Sequence, residues 1–121
     1  MLEDEELTYK IRGCVYEVYR ELGSGFLEKV YENALALELK KNGLKVDKQH
    51  AIEVSYKDSI VGEFAIDLLV ESRVIVELKA VNKLLPIHEA QLLNYLKVTN
   101  KKLGLLVNFY YPKAVVRRVI L

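Results

Sequence analysis

One aspartate and one Glu-x-Lys triplet interrupt two otherwise apolar segments of the chain. Asp67 stands within residues 66–70, and Glu77 and Lys79 stand within residues 74–80. Burying an unpaired carboxylate costs several kcal/mol, so such a residue usually has a partner or a chemical role. Residues two apart in a strand share a face, so a buried ion pair between Glu77 and Lys79 is one explanation. A functional acidic site is the other.

Helices on either side of these segments are indicated by the hydrophobic period. Apolar residues recur at helical spacing over residues 7–22, and a second helix is predicted over about residues 26–42. Gly43 is placed to cap the C-terminus of that helix. Pro86 can begin a third helix, and the helical pattern continues to residue 101. We therefore predict three helices.

Strands are predicted where the period changes to two. The first three candidates lie near residues 49–57, 60–70 and 73–81 and are separated by short polar breaks, which favours an antiparallel meander. Residues 103–109 and 115–121 are apolar and rich in β-branched or aromatic side chains, as in strands. The predicted order is α-α-β-β-β-α-β-β.

An acidic site needs Asp67 and Glu77 on one face of neighbouring strands. Residues that are paired across two neighbouring strands share a face. Because 67 and 77 are both odd, Asp67 and Glu77 can pair only in a register in which the numbers of paired residues have an even sum. A two-residue turn at positions 71–72 would pair Asp67 with Val76 and send Glu77 to the opposite face. We therefore predict a three-residue connection over residues 71–73, or a bulge that restores the parity.

The acidic segments resemble the PD-(D/E)XK nuclease superfamily. Its pattern of an aspartate, a spacer and Glu-x-Lys on adjacent strands is matched by Asp67 and residues 77–79, although Ile66 stands where many members have a proline. The resemblance covers roughly residues 5–121. It implies an α/β (α+β) fold with a restriction-endonuclease-like αβββαβ core, in which helices flank a mixed central sheet.

Two further motifs carry the same resemblance. Residues 25–31, GFLEKVY, reproduce the Gly-x-x-Glu-x-x-Tyr signature of the GxxExxY protein family. Residues 91–95, QLLNY, look like the Gln-x-x-x-Tyr motif of exonuclease-like branches of the superfamily. Four motifs in the right order are far more specific than Asp and Glu-x-Lys alone.

The chemistry of such a site follows from its donor atoms. The carboxylates of Asp67 and Glu77 and the carbonyl of Leu78 are hard oxygen ligands that suit Mg²⁺ (or Mn²⁺). The ion can polarise a phosphodiester and lower the pKa of a bound water. Lys79 would orient that water or offset the charge that builds on the phosphate.

The second helix offers further candidates for the site. Glu28, Tyr31 and Leu35 share a stripe that we expect to face the sheet. We predict that Glu28 is a metal or water ligand, although a carboxylate in a first helical turn is also stabilised by the helix dipole. Tyr31 is a possible supporting residue, and a buried core tyrosine explains it equally well.

The third helix carries a polar stripe of its own. His88, Gln91 and Tyr95 fall on one side of it, and an inward polar stripe needs hydrogen-bond partners. We predict that Gln91 helps to position the site, with buried structural hydrogen bonding as the alternative. Tyr95 fits a supporting role or the core equally, and His88 is more simply explained as a satisfied or exposed histidine.

Composition limits the class of protein. With 121 residues, 51% hydrophobic and 29% charged, the chain suits one packed domain over residues 1–121. Cys14 is the only cysteine, so no internal disulfide can form, and a reducing compartment is expected. The acidic start and the lack of a long apolar run argue against a secretory signal and a membrane span. We expect a cytoplasmic protein.

Charge along the chain permits an anionic partner. Residues 1–38 hold nine acids and four bases, whereas residues 90–121 hold six bases and no acid. A solvated basic face would also explain this asymmetry. If nucleic acid binds, the expected contributors are Lys83, Lys97, Lys101 and Lys102.

The favoured function is a Mg²⁺-dependent nuclease that hydrolyses DNA through a metal-activated water. The alternative is a non-catalytic module that binds nucleic acid or protein on the same fold, and a purely structural adaptor is a third possibility. Residues 115–121 could form an edge strand that pairs with a second copy in a homodimer.

Overall fold

The computed structural model describes the backbone of residues 2–121 and the side chains of residues 4–121. Its elements are α1 (Leu2–Leu22), α2 (Glu28–Lys41), β1 (Val46–Tyr56), β2 (Ser59–Val70), β3 (Val74–Lys79), α3 (Pro86–Thr99), β4 (Leu103–Asn108) and β5 (Val115–Ile120). The predicted order of helices and strands is confirmed. The bounds differ by a few residues, most at α1, which begins five residues before the helical pattern, and β1 begins three residues earlier than the periodicity indicates.

The five strands form one mixed sheet in the order β1-β2-β3-β4-β5. Neighbouring strands are antiparallel except β3 and β4, which are parallel. Parallel neighbours need a crossover connection, and α3 supplies it. The predicted α/β (α+β) class, with a mixed central sheet flanked by helices, is therefore confirmed. Within the described residues, no helix is both long enough and apolar enough to cross a bilayer.

The two faces of the sheet are covered by different helices. One hydrophobic layer joins α1 and α2 to the sheet and includes Ile11, Leu35, Leu68, Val76 and Leu105. The other joins α3 to the sheet and includes Ile66, Ile75, Leu92, Leu96 and Leu106. Cys14 lies in the first layer, as expected for a small apolar residue, and burial raises its pKa to about 11.

The helix α3 approaches the sheet closely at Gly104. A Cβ atom added there would lie 2.8 Å from a methyl group of Leu92, which is fully buried. Only a residue without a side chain leaves room for this contact. Because α3 also carries Tyr95, the contact helps to fix that side chain relative to β3.

The connection between β2 and β3 sets the register of the acidic residues. Val70 pairs with Val74, and Leu68 pairs with Val76, so residues 71–73 form a three-residue connection. The predicted connection is confirmed. Extending the same register by one position places Asp67 opposite Glu77.

Candidate active site

Strands β2 and β3 separate at the two acidic residues, Asp67 and Glu77. Backbone pairing stops at Leu68 and Val76. Beyond that point the backbone N–H of Leu78 donates to Oδ2 of Asp67 at 2.8 Å, and the N–H of Asp67 donates to Oε1 of Glu77 at 2.9 Å. Carboxylates thus take the place of carbonyls as the acceptors between the strands. Both acids are held at the mouth of the gap that opens there.

The backbone of β3 also directs an oxygen into this gap. In a strand, the N–H and C=O of one residue point to the same side. The N–H of Leu78 points at β2, whereas the carbonyl of Lys79 accepts the N–H of Phe109 on the opposite side at 2.8 Å. The carbonyl of Leu78 therefore faces the gap beside Asp67 and Glu77.

Burial makes ionisation of both acids costly. Glu77 is only 8% exposed, and desolvation, followed by the charge of Asp67, raises its pKa to about 8. The pKa of Asp67 is raised mainly by burial and further by the charge of Glu32, while its hydrogen bond from Leu78 acts in the opposite direction. The two carboxyl groups therefore compete for ionisation, as in functional acidic clusters.

The structure does not contain the buried ion pair that would have explained the motif. Among the described residues, Lys79 makes no salt bridge to Glu77 or Asp67 within the 4.0 Å limit for such a contact. Its positive charge still lowers the pKa of both acids, so it lies near them. Lys79 is thus left able to contact an anion at the gap.

A third carboxylate near the site comes from Glu32, which sequence reasoning missed. Glu32 is 4% exposed and accepts hydrogen bonds from Nζ of Lys29 at 3.0 Å and from Nε2 of Gln49 at 2.7 Å. Its charge acts on the pKa of Asp67. The signal was present in the sequence, because Glu32 lies three residues before Leu35 and so can share its inward stripe.

The structure does not bring Glu28 into this cluster. Glu28 is exposed in the first turn of α2, one turn before Glu32, and makes no hydrogen bond or salt bridge to any site residue that the structure describes. The predicted stripe is correct at Tyr31 and Leu35, which are fully buried, but not at its first position. Glu28 and Glu32 lie one turn apart on α2, and the way in which α2 packs on the sheet buries Glu32 and leaves Glu28 exposed.

Tyr31 has a structural role that accounts for its burial. Its hydroxyl donates to the carbonyl of Gly23 at 2.6 Å and accepts the N–H of Phe26 at 3.2 Å. Its ring stacks on Phe109 with centroids 4.5 Å apart. Tyr31 therefore braces the connection between α1 and α2 against the core and does not contact the acidic residues.

Of the stripe on α3, Tyr95 is the residue that the structure brings to the site. It is partly buried and stacks on Phe64 of β2 with centroids 4.4 Å apart. Its pKa is raised by burial and then by the charges of Glu77 and Asp67. Gln91 lies one turn earlier and is exposed, with no side-chain hydrogen bond within the described residues.

His88 ends as a helix cap. Its Nδ1 accepts a hydrogen bond from the backbone N–H of Leu85 at 3.0 Å, and the backbone N–H of His88 donates to the carbonyl of Leu85 at 2.9 Å. These bonds satisfy polar groups at the start of α3. His88 is thus a satisfied histidine, the simpler of its two explanations.

Three of the four predicted basic residues flank strands of the sheet, at opposite ends. Lys83 follows β3 and is exposed at the end of the sheet that carries Glu77 and Lys79. Lys101 and Lys102 precede β4, whose first residue pairs with the first residue of β3. Five strand residues span about 17 Å, so these two lysines lie at the far end of the sheet. Lys101 and Lys102, which were expected to contribute to nucleic-acid binding, therefore lie away from the acidic residues.

The donor set fits a small divalent cation, although it is not a closed cage. Among the described residues, no three His, Cys, Asp or Glu side chains are arranged to hold a metal ion together. Mg²⁺ commonly binds through one or two carboxylates and keeps several waters. The carboxylates of Asp67 and Glu77 and the carbonyl of Leu78 satisfy that requirement.

Comparison with known proteins identifies the fold and the family. No curated protein matches the sequence closely enough to serve as a relative. The fold is similar to the crystal structure of SSO0001, with a TM-score of 0.62 and 18% identity over 76% of this chain and 50% of that chain. The chain thus spans about half the length of that protein, and the likeness shows a shared, restriction-endonuclease-like fold. A family model described as the PD-(D/E)XK nuclease superfamily matches residues 5–119. The chain belongs to the PD-(D/E)XK nuclease superfamily.

Proposed function

We propose that this protein is a Mg²⁺-dependent nuclease that hydrolyses phosphodiester bonds in nucleic acid, with DNA as its substrate. One observation carries the proposal: Asp67 and Glu77 lie together in the gap between β2 and β3 without a salt bridge from the neighbouring Lys79. A carboxylate pair that serves only the fold would be neutralised by its lysine. A pair whose ionisation is opposed by burial and by mutual repulsion is suited to a divalent cation, which supplies the missing positive charge.

In this proposal, different residues have different roles in hydrolysis. Asp67, Glu77 and the carbonyl of Leu78 would hold the ion, and Mn²⁺ could replace Mg²⁺ there. When bound, the ion would supply Lewis acidity toward the phosphodiester and lower the pKa of a water. Lys79, one strand position beyond the carbonyl of Leu78, would orient the attacking water or stabilise charge on the phosphate.

Glu32 takes the role that the helical spacing predicts for Glu28. Its buried carboxylate acts on Asp67 electrostatically and shares the amide of Gln49 with it. A carboxylate in this position can accept a proton or hold a water beside the ion. The chain is then a GxxExxY-type protein in which the glutamate of the signature lies outside the acidic cluster.

Contacts to the substrate come from the open end of the gap. Lys83 offers a positive charge for a phosphate, and Gln91 and Tyr95 line one side of α3 facing it. A domain this small has little surface for reading base edges, so contacts to the backbone should dominate. Tyr95, already stacked on Phe64, is positioned to limit how deeply the nucleic acid enters.

A second copy of the chain is proposed to pair along β5. This strand is one of the two edges of the sheet, and its last residue, Ile120, is 63% exposed. Exposed edge strands pair readily with another strand. Sedimentation of the parent and of Ile120→Lys tests this, because a charge on the edge should favour the monomer.

Cleavage assays test the proposed activity. Single- and double-stranded DNA and RNA are incubated with the protein and Mg²⁺, Mn²⁺ or EDTA. We expect metal-dependent cleavage of DNA by the parent and its loss in Asp67→Asn and Lys79→Met. Salt-sensitive binding with no cleavage of any substrate would favour a non-catalytic binding module, and cleavage of RNA alone would change the substrate.

A further inference from the structure

Gln49 has a backbone conformation that its position in a strand does not predict. Its φ is +52°, in the left-handed region, although it lies inside β1. The other described non-glycine residues with positive φ lie in turns or at a helix cap. A left-handed conformation is unfavourable for a residue with a side chain, and such strain is often found at functional sites.

This conformation lies directly opposite Asp67. Lys48 pairs with Leu68 and His50 pairs with Ile66, so the register is the same on both sides of Gln49 and no residue is inserted. The strands instead change faces here: Leu68 packs in the layer of α1 and α2, whereas Ile66 packs in the layer of α3. Gln49 is therefore the residue of β1 at which the alternation of side chains between the two faces of the sheet is reversed, next to the site.

The side chain of Gln49 connects two acids from different elements. Nε2 donates to Oε1 of Glu32 on α2 at 2.7 Å and lies 3.4 Å from Oδ1 of Asp67 on β2. The other oxygen of Asp67, Oδ2, accepts the N–H of Leu78. Both oxygens of Asp67 are thus contacted by donors, one on β1 and one on β3.

We propose that Gln49 is a positioning residue, whose amide holds the carboxylates of Glu32 and Asp67 in a fixed relation at the gap between β2 and β3. The left-handed backbone of Gln49 places its side-chain amide between Glu32 and Asp67. A glutamine with ordinary strand geometry would alternate with its neighbours and would not direct its amide at both Glu32 and Asp67. The effect on metal binding rests on the proposed function, whereas the effect on Asp67 does not.

Two substitutions remove the amide from its position without adding strain. Gln49→Gly accepts the left-handed backbone freely, and Gln49→Asn tolerates it but is one methylene too short to make both contacts. Lys57→Gly is the matched control, because Lys57 also has a positive φ, of +48°, but lies in the exposed turn between β1 and β2.

Amide hydrogen exchange in the metal-free protein reports on Asp67 directly. The N–H of Leu78 is protected by Oδ2 of Asp67, so its protection relative to a core amide of β4 measures how well that carboxylate is held. We expect both Gln49 variants to lose about tenfold of this protection and to keep the unfolding midpoint of the parent. Lys57→Gly should change neither. Unchanged protection at Leu78, or unfolding midpoints that fall in both Gln49 variants, would overturn the proposal by showing a structural residue.

Mn²⁺ titration by calorimetry gives the second readout. Removing a residue that orients a metal ligand typically weakens metal affinity about 10- to 100-fold, so both Gln49 variants should show a higher Kd for Mn²⁺ than the parent and Lys57→Gly. Equal affinities in all four proteins would also contradict the proposal. If the parent itself binds no Mn²⁺, the proposed function fails, and the exchange of Leu78 alone decides the role of Gln49.

Discussion

Oε1 of Glu77 accepts the backbone N–H of Asp67 at 2.9 Å, so the more deeply buried acid of the pair is bonded to the main chain of the other. This bond keeps Glu77 in the gap whether or not the group is ionised. It does not supply the positive charge that ionisation of a buried carboxyl group needs. The cost of that charge should therefore appear in the pH dependence of stability.

The metal-free protein should lose stability as pH rises. Glu77 has a folded pKa of about 8, above its ordinary value of 4.5, mainly because of burial. The folded state then holds a proton that the unfolded state releases, so this contribution is complete below pH 4.5 and is lost as pH passes about 8. The free energy of unfolding should fall by at most about 1.4 kcal/mol per pH unit in this window. Urea unfolding in EDTA between pH 5 and pH 8.5 measures it.

The matched variants for that experiment are Glu77→Gln and Glu28→Gln. Removing the titrating group at 77 should flatten the profile and leave the variant more stable than the parent at pH 8.5. The exposed Glu28 should not affect the slope. An unchanged slope in Glu77→Gln would assign the pH dependence to other groups.

Asp67→Asn separates a functional acid from a structural one. Without metal, the substitution removes the carboxylate that competes with Glu77 for ionisation, at nearly constant shape, so the variant should be as stable as the parent or more stable, by about 1 kcal/mol. With millimolar Mg²⁺ or Mn²⁺ the parent should gain stability that the variant lacks, because the ion binds the folded parent. Thermal unfolding with EDTA and with each ion tests both the stability without metal and the gain with metal. A loss of several kcal/mol regardless of metal would indicate that Asp67 serves the fold.

Glu32→Gln and Glu28→Gln compare the observed third acid with the one that the sequence favoured. Glu32 contacts Gln49 and acts on Asp67, so we expect its substitution to lower the cleavage rate at least tenfold while the protein stays folded. Glu28→Gln should cleave like the parent. The reverse ranking in a cleavage assay would restore Glu28 to the site.

The location of the basic residues predicts a difference in salt sensitivity. Binding of duplex DNA should weaken with salt, with a log-log slope near −0.9 for each phosphate neutralised. Lys83→Ala should reduce the magnitude of that slope by about one, because Lys83 lies at the same end of the sheet as the acids. Lys102→Ala, at the other end, should not. Equal slopes in all three proteins, measured by fluorescence anisotropy, would place the nucleic acid elsewhere.

Gly104→Ala tests how tightly α3 is seated on the sheet. The new methyl group would meet Leu92 at 2.8 Å within a filled core, so we expect a loss of about 1–3 kcal/mol in the free energy of unfolding. Gly62→Ala is the control, because its added Cβ would meet nothing within 4 Å. If both variants unfold at the same urea concentration, the core must be able to adjust around Leu92.

The sequence alone determined the order of elements and the pairing of the two central acids. Local hydrophobic periods set the helices and strands, and the parity of Asp67 and Glu77 required the three-residue connection that the structure contains. These features depend on neighbouring residues and on the two-residue period of a strand, which can be read without knowing the fold.

The tertiary structure alone decided which residues complete the site. Whether Glu28 or Glu32 approaches Asp67 depends on how α2 docks on the sheet, because both lie on adjacent parts of one helical stripe. The role of Gln49 depends on a left-handed backbone, which no spacing rule predicts for a glutamine inside a strand. Lys101 and Lys102 follow the same helix as Tyr95 but lie at the other end of the sheet, because α3 runs antiparallel to β3 and β4 as it crosses between them. Each outcome is set by packing between elements distant in sequence.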